Sequence, residues 1–231
     1  MLQIKTFSFN PFGERCILMW DGTGEGVVVD PGCYDDREAA ALEDEIRKEG
    51  VSVKAVWLTH AHWDHVCGME RVLKQHPVPV MMSPLEKETL ASNGDMAGRF
   101  GFKLTPMEFK TTDIKDGDAL RFGDSSFTVI GTPGHTPGGV CFHDAADSVL
   151  LSGDTLFAGS IGRSDLPGGD YDKLIVSVMD KIMGLPGDTD VIPGHGPVTS
   201  ISHERTHNPF LQPFNEREEL FPEEFGGEDK I

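Results

Sequence analysis

The chain has 231 residues, and its 20 lysines and arginines are outnumbered by 38 aspartates and glutamates, which gives a formal charge of −18. Because nucleic acids and anionic membranes are bound through clustered Lys and Arg, this composition excludes both as expected partners. No apolar run approaches the ~18 residues of a membrane span, and the N-terminus lacks the pattern of a signal peptide.

The first half of the chain predicts a β-rich start followed by alternating helices and strands. Alternating or continuous apolar runs predict strands at 2–9, 15–20, 26–30, 53–58 and 78–82. Helices are predicted from Asp35 or Asp36, either of which can cap the first turn, to Gly50, and then over 66–75 and 84–95.

The second half returns to β structure before two closing helices. Strands are predicted at 119–122, 125–131, 139–142, 149–152 and 190–193, and helices at 171–183 and 202–210. We interpret the pattern as an α/β fold of two mixed sheets, packed face to face with helices outside. One domain is expected over residues 1–212, with its site at one sheet edge, followed by an acidic C-terminal tail at 213–231.

The four cysteines, Cys16, Cys33, Cys67 and Cys141, show no CxxC motif or disulfide spacing. Buried, reduced thiols fit them best, and together with the missing signal peptide they predict a cytoplasmic protein. Cys67 follows a histidine cluster closely, but packing is the expected role for its thiol.

That cluster, THAHWDH at residues 59–65, is the most informative stretch of the chain. It places His60, His62, His65 and the carboxylate of Asp64 directly after a predicted buried strand. Imidazole and carboxylate are donors that zinc, iron and manganese accept. No buried structural role requires three histidines so close together, so the cluster predicts a metal site at the sheet edge.

Three later segments each add one donor. His135 lies in the Gly- and Pro-rich loop GTPGHTPG, Asp154 follows a strand in SGDT, and His195 lies in PGHGP. Each segment alone is weak evidence, since loop histidines and strand-end aspartates are common. Their order after the first cluster strengthens the prediction.

THAHWDH, GHTPGG, SGDTLF and PGHGP together resemble the metal-binding signature of the metallo-β-lactamase-fold superfamily. The resemblance extends from about residue 5 to about residue 210 and is strongest to the glyoxalase II (hydroxyacylglutathione hydrolase) group and its small single-domain relatives. NPFGERC, VVVDPG, GSIGRSDLPGGD and HERTHNPFL support it. The resemblance implies a four-layer αββα sandwich with two metal ions in an edge groove.

The resemblance also implies which residue does what. His60, His62 and His135 would hold the first ion, Asp64, His65 and His195 the second, and Asp154 would bridge them. Seven donors are too many for one tetrahedral ion but suit two ions roughly 3.5–4 Å apart. Two divalent cations are therefore expected, zinc first, with iron or manganese as alternatives.

The implied activity is hydrolysis of a small-molecule thioester by a metal-bridging hydroxide that attacks the carbonyl carbon. Asp64 is the candidate proton acceptor. Arg163 is a candidate anchor for a substrate carboxylate, with a structural loop arginine as the alternative. Glyoxalase II enzymes hold glutathione with an additional C-terminal helical part, which this chain does not show after NPFL. No oligomeric state is predicted.

Several alternatives stay open. Persulfide dioxygenases share the fold but use one iron, which His60, His135 and Asp154 would hold here. A lactone would be cleaved by the same hydroxide attack, whereas a β-lactamase is expected to carry an export signal and a nuclease of this fold a basic surface and an extra domain. The last alternative is a binding protein with a degenerate site, although every ligand position carries a competent donor.

Overall fold

The structure is a computed structural model that describes residues 1–104 and 109–212. Its N-terminal part forms a six-stranded mixed sheet in the order β1-β2-β3-β4-β5-β6. The first three strands pair antiparallel, and β3 to β6 pair parallel. The strands are β1 (Gln3–Phe9), β2 (Glu14–Trp20), β3 (Glu25–Val29), β4 (Ser52–Trp57), β5 (Val80–Met82) and β6 (Thr111–Asp113).

A second six-stranded sheet has the order β14-β13-β10-β9-β8-β7, and β11 and β12 form a separate hairpin. In it β10 and β13 are parallel, whereas the other pairs are antiparallel. The strands are β7 (Ala119–Phe122), β8 (Ser125–Gly131), β9 (Val140–Asp144), β10 (Val149–Gly153), β11 (Leu156–Phe157), β12 (Ser160–Ile161), β13 (Asp190–Pro193) and β14 (Thr199–Ser200).

The helices connect strands or follow them. They are α1 (Asp36–Glu49), α2 (Trp63–Val66), α3 (Met69–Gln75), α4 (Lys87–Arg99), α5 (Tyr171–Val176) and α6 (Ile201–His207). Asp35 caps α1 by accepting a hydrogen bond from the Glu38 amide at 2.8 Å, and Gly50 ends the helix in the left-handed region at φ +66°. The cap and the stop predicted for this helix are therefore confirmed.

The order of the layers follows from the faces of the strands that carry apolar side chains. One core lies between the sheets and contains Trp57, Phe127 and Phe142. A second core packs the outer face of the first sheet against α1 and α3, and a third packs the second sheet against α5 and α6. The expected four-layer αββα sandwich of two mixed sheets with helices outside is confirmed.

The structure differs from the predicted elements mainly where helices are interrupted. The helix predicted over 66–75 is split, because Gly68 packs against the preceding loop and donates its amide to Pro31 O at 2.8 Å. A Cβ at Gly68 would lie 2.2 Å from Cys33 Sγ. A 3₁₀ turn (Pro84–Glu86) precedes α4, and α5 continues as a π-helix (Ser177–Ile182).

The short strands β6, β11, β12 and β14 were not predicted, since two or three residues show no periodicity. The four cysteines are buried and free, as expected. The predicted acidic tail at 213–231 lies outside the described residues. Within the described part of the chain, no helix is long and apolar enough to cross a membrane.

Candidate metal centre

The predicted donor residues lie on loops at one edge of the sandwich. The loop after β4 and the first turn of α2 carry His60, His62, Asp64 and His65, all from the first sheet. The second sheet supplies the rest, because β8, β10 and β13 end at the same edge. The donors on its loops are His135, Asp154 and His195.

Of the three groups of potential ligands found in the described residues, two consist only of predicted ligands, and the third joins His60 and His65 with Asp30. The ligand atoms of His60, His62 and His135 all lie within 4.8 Å of one another, and so do those of Asp64, His65 and His195. In the first group, His62 Nδ1 is 2.9 Å from His135 Nε2. In the second, His195 Nε2 is 3.3 Å from His65 Nε2 and 3.4 Å from Asp64 Oδ2.

Asp154 lies between the two groups. Its Oδ2 is 3.4 Å from His135 Nε2 and 3.7 Å from His195 Nε2, and its Oδ1 is 3.4 Å from His65 Nε2. One carboxylate thus faces both groups, which is the position a bridging ligand requires.

The hydrogen bonds behind the histidines determine which nitrogen faces the centre. His135 Nδ1 donates to Arg163 O at 2.7 Å, and His195 Nδ1 donates to Phe12 O at 3.1 Å. Because a carbonyl oxygen only accepts, each Nδ1 must carry the proton. The Nε2 lone pairs of both rings therefore point to the centre.

Asp30 also determines which ring nitrogen faces the centre in two further histidines, directly in His65 and through Thr59 in His60. Its Oδ2 accepts from His65 Nδ1 at 3.0 Å and from Thr59 Oγ1 at 2.5 Å. Since the Thr59 hydroxyl already donates to Asp30, it accepts from His60 Nδ1 at 3.1 Å. His60 and His65 thus also direct Nε2 towards the centre, where each nitrogen can bind a cation once it carries no proton.

The imidazole nitrogens and carboxylate oxygens of this centre suit the binding of cations. His60 Nε2 and Asp154 Oδ1 are buried without a hydrogen-bond partner among the described residues. A buried acceptor without a partner is costly, and cations at the centre would satisfy both atoms. The lone pairs that converge from His62 and His135 would be satisfied in the same way.

The electrostatics of the centre also favour a cation. Burial lowers the pKa of His60 well below its usual range and that of His62 to about 3, so both imidazoles are neutral. Burial acts in the same direction on His65, but Asp154 and Asp30 outweigh it and raise its pKa. Burial raises the pKa of Asp154, yet the charge of His65 prevails and lowers it. An ion that binds His65 therefore displaces a proton.

Buried side chains outside the predicted set hold the ligand loops in place. Glu86 accepts from the Ala61 amide with Oε2 and from the Gly138 amide with Oε1, both at 2.8 Å, and so ties two of these loops together. Arg15 supports the third loop, because its guanidinium donates to Pro193 O at 2.6 Å and to Gly196 O.

Sequence reasoning assigned no role to Asp30, Glu86 or Glu14. Asp30 lies in VVVDPG and Glu14 in NPFGERC, so both belong to motifs that carried the resemblance. Glu14 is fully buried, with Oε1 4.0 Å from His65 Nδ1, and burial raises its pKa well above the usual range. For Asp30 and Glu14, the sequence shows a carboxylate directly beside an apolar run, and this signal could have identified them.

Arg163 lines a cavity of about 370 Å³ that opens onto the donor groups. Its guanidinium is bound by Asp165 in a two-point fork, with Nε to Oδ1 at 2.7 Å and Nη2 to Oδ2 at 2.8 Å.

Cys67 is absent from the groups of potential metal ligands found in the described chain, and its thiol donates to Gly32 O at 3.1 Å.

Comparisons with known proteins agree on one family. The model for the metallo-beta-lactamase superfamily matches residues 10–195. A Haemophilus influenzae protein named hydroxyacylglutathione hydrolase GloC is 35% identical over 215 residues, covering 91% of this chain and 98% of that protein.

Two solved structures are similar over nearly the same part of the chain. The structure of BLEG-1 B3 metallo-beta-lactamase is 36% identical with a TM-score of 0.83, covering 90% of this chain and 99% of that one. The structure of TTHA1623 in a di-iron-bound form is 34% identical with a TM-score of 0.80, covering 90% and 100%.

Proposed function

This chain belongs to the metallo-beta-lactamase superfamily, and on that premise we propose that it is a dinuclear metal-dependent hydrolase that cleaves thioesters. The observation that carries the proposal is the position of Asp154 between two groups of three donors. The identity of 35% to a hydroxyacylglutathione hydrolase over most of both chains supports a thioester as the substrate class.

The residues divide into two ligand sets. His60, His62 and His135 form one set, and Asp64, His65 and His195 the other, with Asp154 shared. Two divalent ions, when bound, would supply an activated hydroxide and polarise the substrate carbonyl. Imidazole and carboxylate donors accept zinc, and the di-iron form of TTHA1623 makes iron a second candidate for this chain.

Asp64 is the proposed proton acceptor. Burial raises the pKa of its carboxyl, but hydrogen bonding with His195 and the charge of His65 outweigh burial, so the pKa is lowered and the group is ionised at neutral pH. A thiolate is a stable leaving group and needs little help from an acid. A site whose candidate acid–base group is ionised therefore suits thioesters better than amides.

β-Lactam hydrolysis is a second candidate, because BLEG-1 is named a B3 metallo-beta-lactamase and is 36% identical to this chain. The same donors would serve, since both reactions attack a carbonyl carbon. The leaving group differs, because an amide nitrogen must be protonated as it departs.

The test has two measurements on the purified chain. Elemental analysis should find close to two ions per chain, as the shared carboxylate requires. Hydrolysis of S-lactoylglutathione and of a chromogenic cephalosporin should then be compared at equal enzyme concentration, before and after chelation.

Each result has a defined meaning. Metal-dependent release of thiol that exceeds cephalosporin turnover supports the proposal, and the reverse order supports the β-lactamase. About one iron per chain, with no hydrolysis and with oxygen uptake on a persulfide, would contradict both hydrolase candidates. It would favour a persulfide dioxygenase, whose iron His60, His135 and Asp154 would hold.

A further inference from the structure

The cavity beside the donor groups is mainly apolar. Its volume of about 370 Å³ is within the range of small-molecule sites. The candidate ligands His62, Asp64, His135, Asp154 and His195 line one part of it, which we call its floor. The walls are dominated by apolar side chains, among them Phe12, Trp63, Met96, Phe100, Ile161 and Leu166. A substrate whose carbonyl lies at the floor must therefore place its remaining groups against an apolar wall.

Aromatic contacts hold one part of this wall in a defined shape. Phe12 packs edge-on against Trp63 with 5.1 Å between ring centroids and against Phe100 with 5.3 Å. Phe12 and Phe100 nevertheless remain 41% and 43% exposed. Two large apolar side chains are thus fixed by their neighbours and left facing water beside the centre, which is the arrangement of a binding wall.

The permanent cation in the cavity wall is already paired with a carboxylate. Among the described lining residues, Arg163 is the only permanent cation, and Asp165 occupies it in a bidentate fork. A carboxylate on the substrate would therefore meet an arginine that is already neutralised by Asp165.

We propose that the preferred substrates are thioesters of an apolar, uncharged thiol, which packs against Phe12 and Phe100, and that the Arg163–Asp165 pair selects against, without abolishing, the use of carboxylate-bearing thiols such as glutathione. This inference rests on the proposed function and specifies the thiol side of its substrate. Phe100 contributes contact area to that thiol, and Asp165 sets the selectivity by occupying the guanidinium.

The test uses three thioesters of lactic acid that differ only in the thiol: glutathione, N-acetylcysteamine and benzyl mercaptan. The benzyl thioester should have a kcat/KM at least about tenfold above that of the glutathione thioester, since an aromatic ring gains contact with the wall. Equal or higher kcat/KM for the glutathione thioester would overturn the inference.

Phe100→Ala should lower kcat/KM for the benzyl thioester about tenfold, mainly through KM, and leave the N-acetylcysteamine thioester within about twofold. Phe210→Ala is the matched control, because Phe210 is 41% exposed and does not line the cavity. Equal losses on both thioesters would assign Phe100 a structural role and contradict the proposal.

Asp165→Asn removes the charge that neutralises Arg163 and one of the two acceptors of its guanidinium, and should raise kcat/KM for the glutathione thioester relative to the benzyl thioester about tenfold. Asp188→Asn removes the same charge from an exposed site before β13, at the end of that strand away from the centre, and should leave the ratio unchanged. An unchanged ratio in Asp165→Asn would refute the selectivity role.

The two levels of the proposal fail separately. If a metal-loaded preparation cleaves none of the three thioesters, the proposed function fails. If it cleaves all three with the glutathione thioester preferred, the proposed function stands and the inference about the thiol is wrong.

Discussion

Replacing Asp30 with asparagine should weaken metal binding without unfolding the chain. Asp30 is 2% exposed and accepts from the Thr59 amide at 2.8 Å, from Thr59 Oγ1 at 2.5 Å and from His65 Nδ1 at 3.0 Å. Its φ of +47° lies in the left-handed region, which asparagine tolerates as aspartate does. The backbone is therefore not a source of strain in this variant.

The magnitude follows from one hydrogen bond. In Asp30→Asn the amide nitrogen takes the place of one carboxylate oxygen. It then faces either the Thr59 amide or, at the other position, both the Thr59 hydroxyl and the Nδ1 proton of His65. If it faces His65, the imidazole must move its proton to Nε2, where the metal ion is expected. Loss of such a charge-assisted bond corresponds to about 1.5–3 kcal/mol, and second-layer changes of this kind weaken metal affinity about 10–100-fold.

The assay is competition for zinc against a chromophoric chelator of known affinity, with wild type and variant at the same pH. Asp21→Asn is the control, because Asp21 is also buried, at 4% exposed, and also accepts several hydrogen bonds. It lies after β2, at the end of the first sheet opposite the candidate metal centre. It should lower the free energy of unfolding and leave zinc affinity unchanged.

An Asp30→Asn protein that melts normally and binds both ions with wild-type affinity would refute the reasoning. It would mean that His65 keeps its ring orientation without the carboxylate. Equal loss of affinity in Asp30→Asn and Asp21→Asn would also refute it, because the effect would then follow stability and not the hydrogen bond behind the ligand.

Three further predictions concern single residues. Asp154→Ala should lose both ions, whereas Cys67→Ala should keep metal and activity nearly intact; elemental analysis checks both, and an Asp154→Ala protein that retains two ions would contradict bridging. Burial raises the pKa of Asp21, but bonds from Thr23, Asp124 and Ser125 outweigh it and lower the pKa from 3.8 to about 2. The carboxylate thus stabilises the fold at pH values above its usual pKa of about 4, and this contribution is lost as the pH falls through about 2. Urea unfolding of wild type and Asp21→Asn in chelator should converge at low pH; a constant difference would oppose the assignment. Gly162→Ala places a Cβ 1.9 Å from Asp154 O and should lower metal content, whereas Gly184→Ala, with open space around it, should not.

The fold and the donor positions could be predicted because both depend on local patterns. His60, Asp154 and His195 each follow a short apolar run, and the carboxyl ends of strands that run in the same direction meet at one edge. The apolar periodicity of the strands and the turn residues that end them therefore indicated which loops would lie together at one edge. Gly68 is an example of what local patterns miss, since its effect on the helix depends on contact with Cys33 and Pro31.

The supporting residues could not be predicted, because their roles depend on register. Asp30 reaches Thr59 only because β3 and β4 pair in parallel, with Val29 opposite Trp57. Phe12 and Phe100 belong to a β-turn and a helix end that are distant in sequence, and nothing local in either segment indicates that the two rings touch. Glu86 similarly joins two loops that only the folded chain brings together.

Each donor group draws on both sheets, and this has a consequence for how long the chain survives in a cell. A cation held by His62 and His135, or by His65 and His195, would join the open edges of the two sheets, so the free energy of binding would add to that of folding. At a metal concentration about 100 times Kd the gain would be about 2.7 kcal/mol. Metal starvation would then reduce the amount of protein as well as its activity, because proteases act on chains that open.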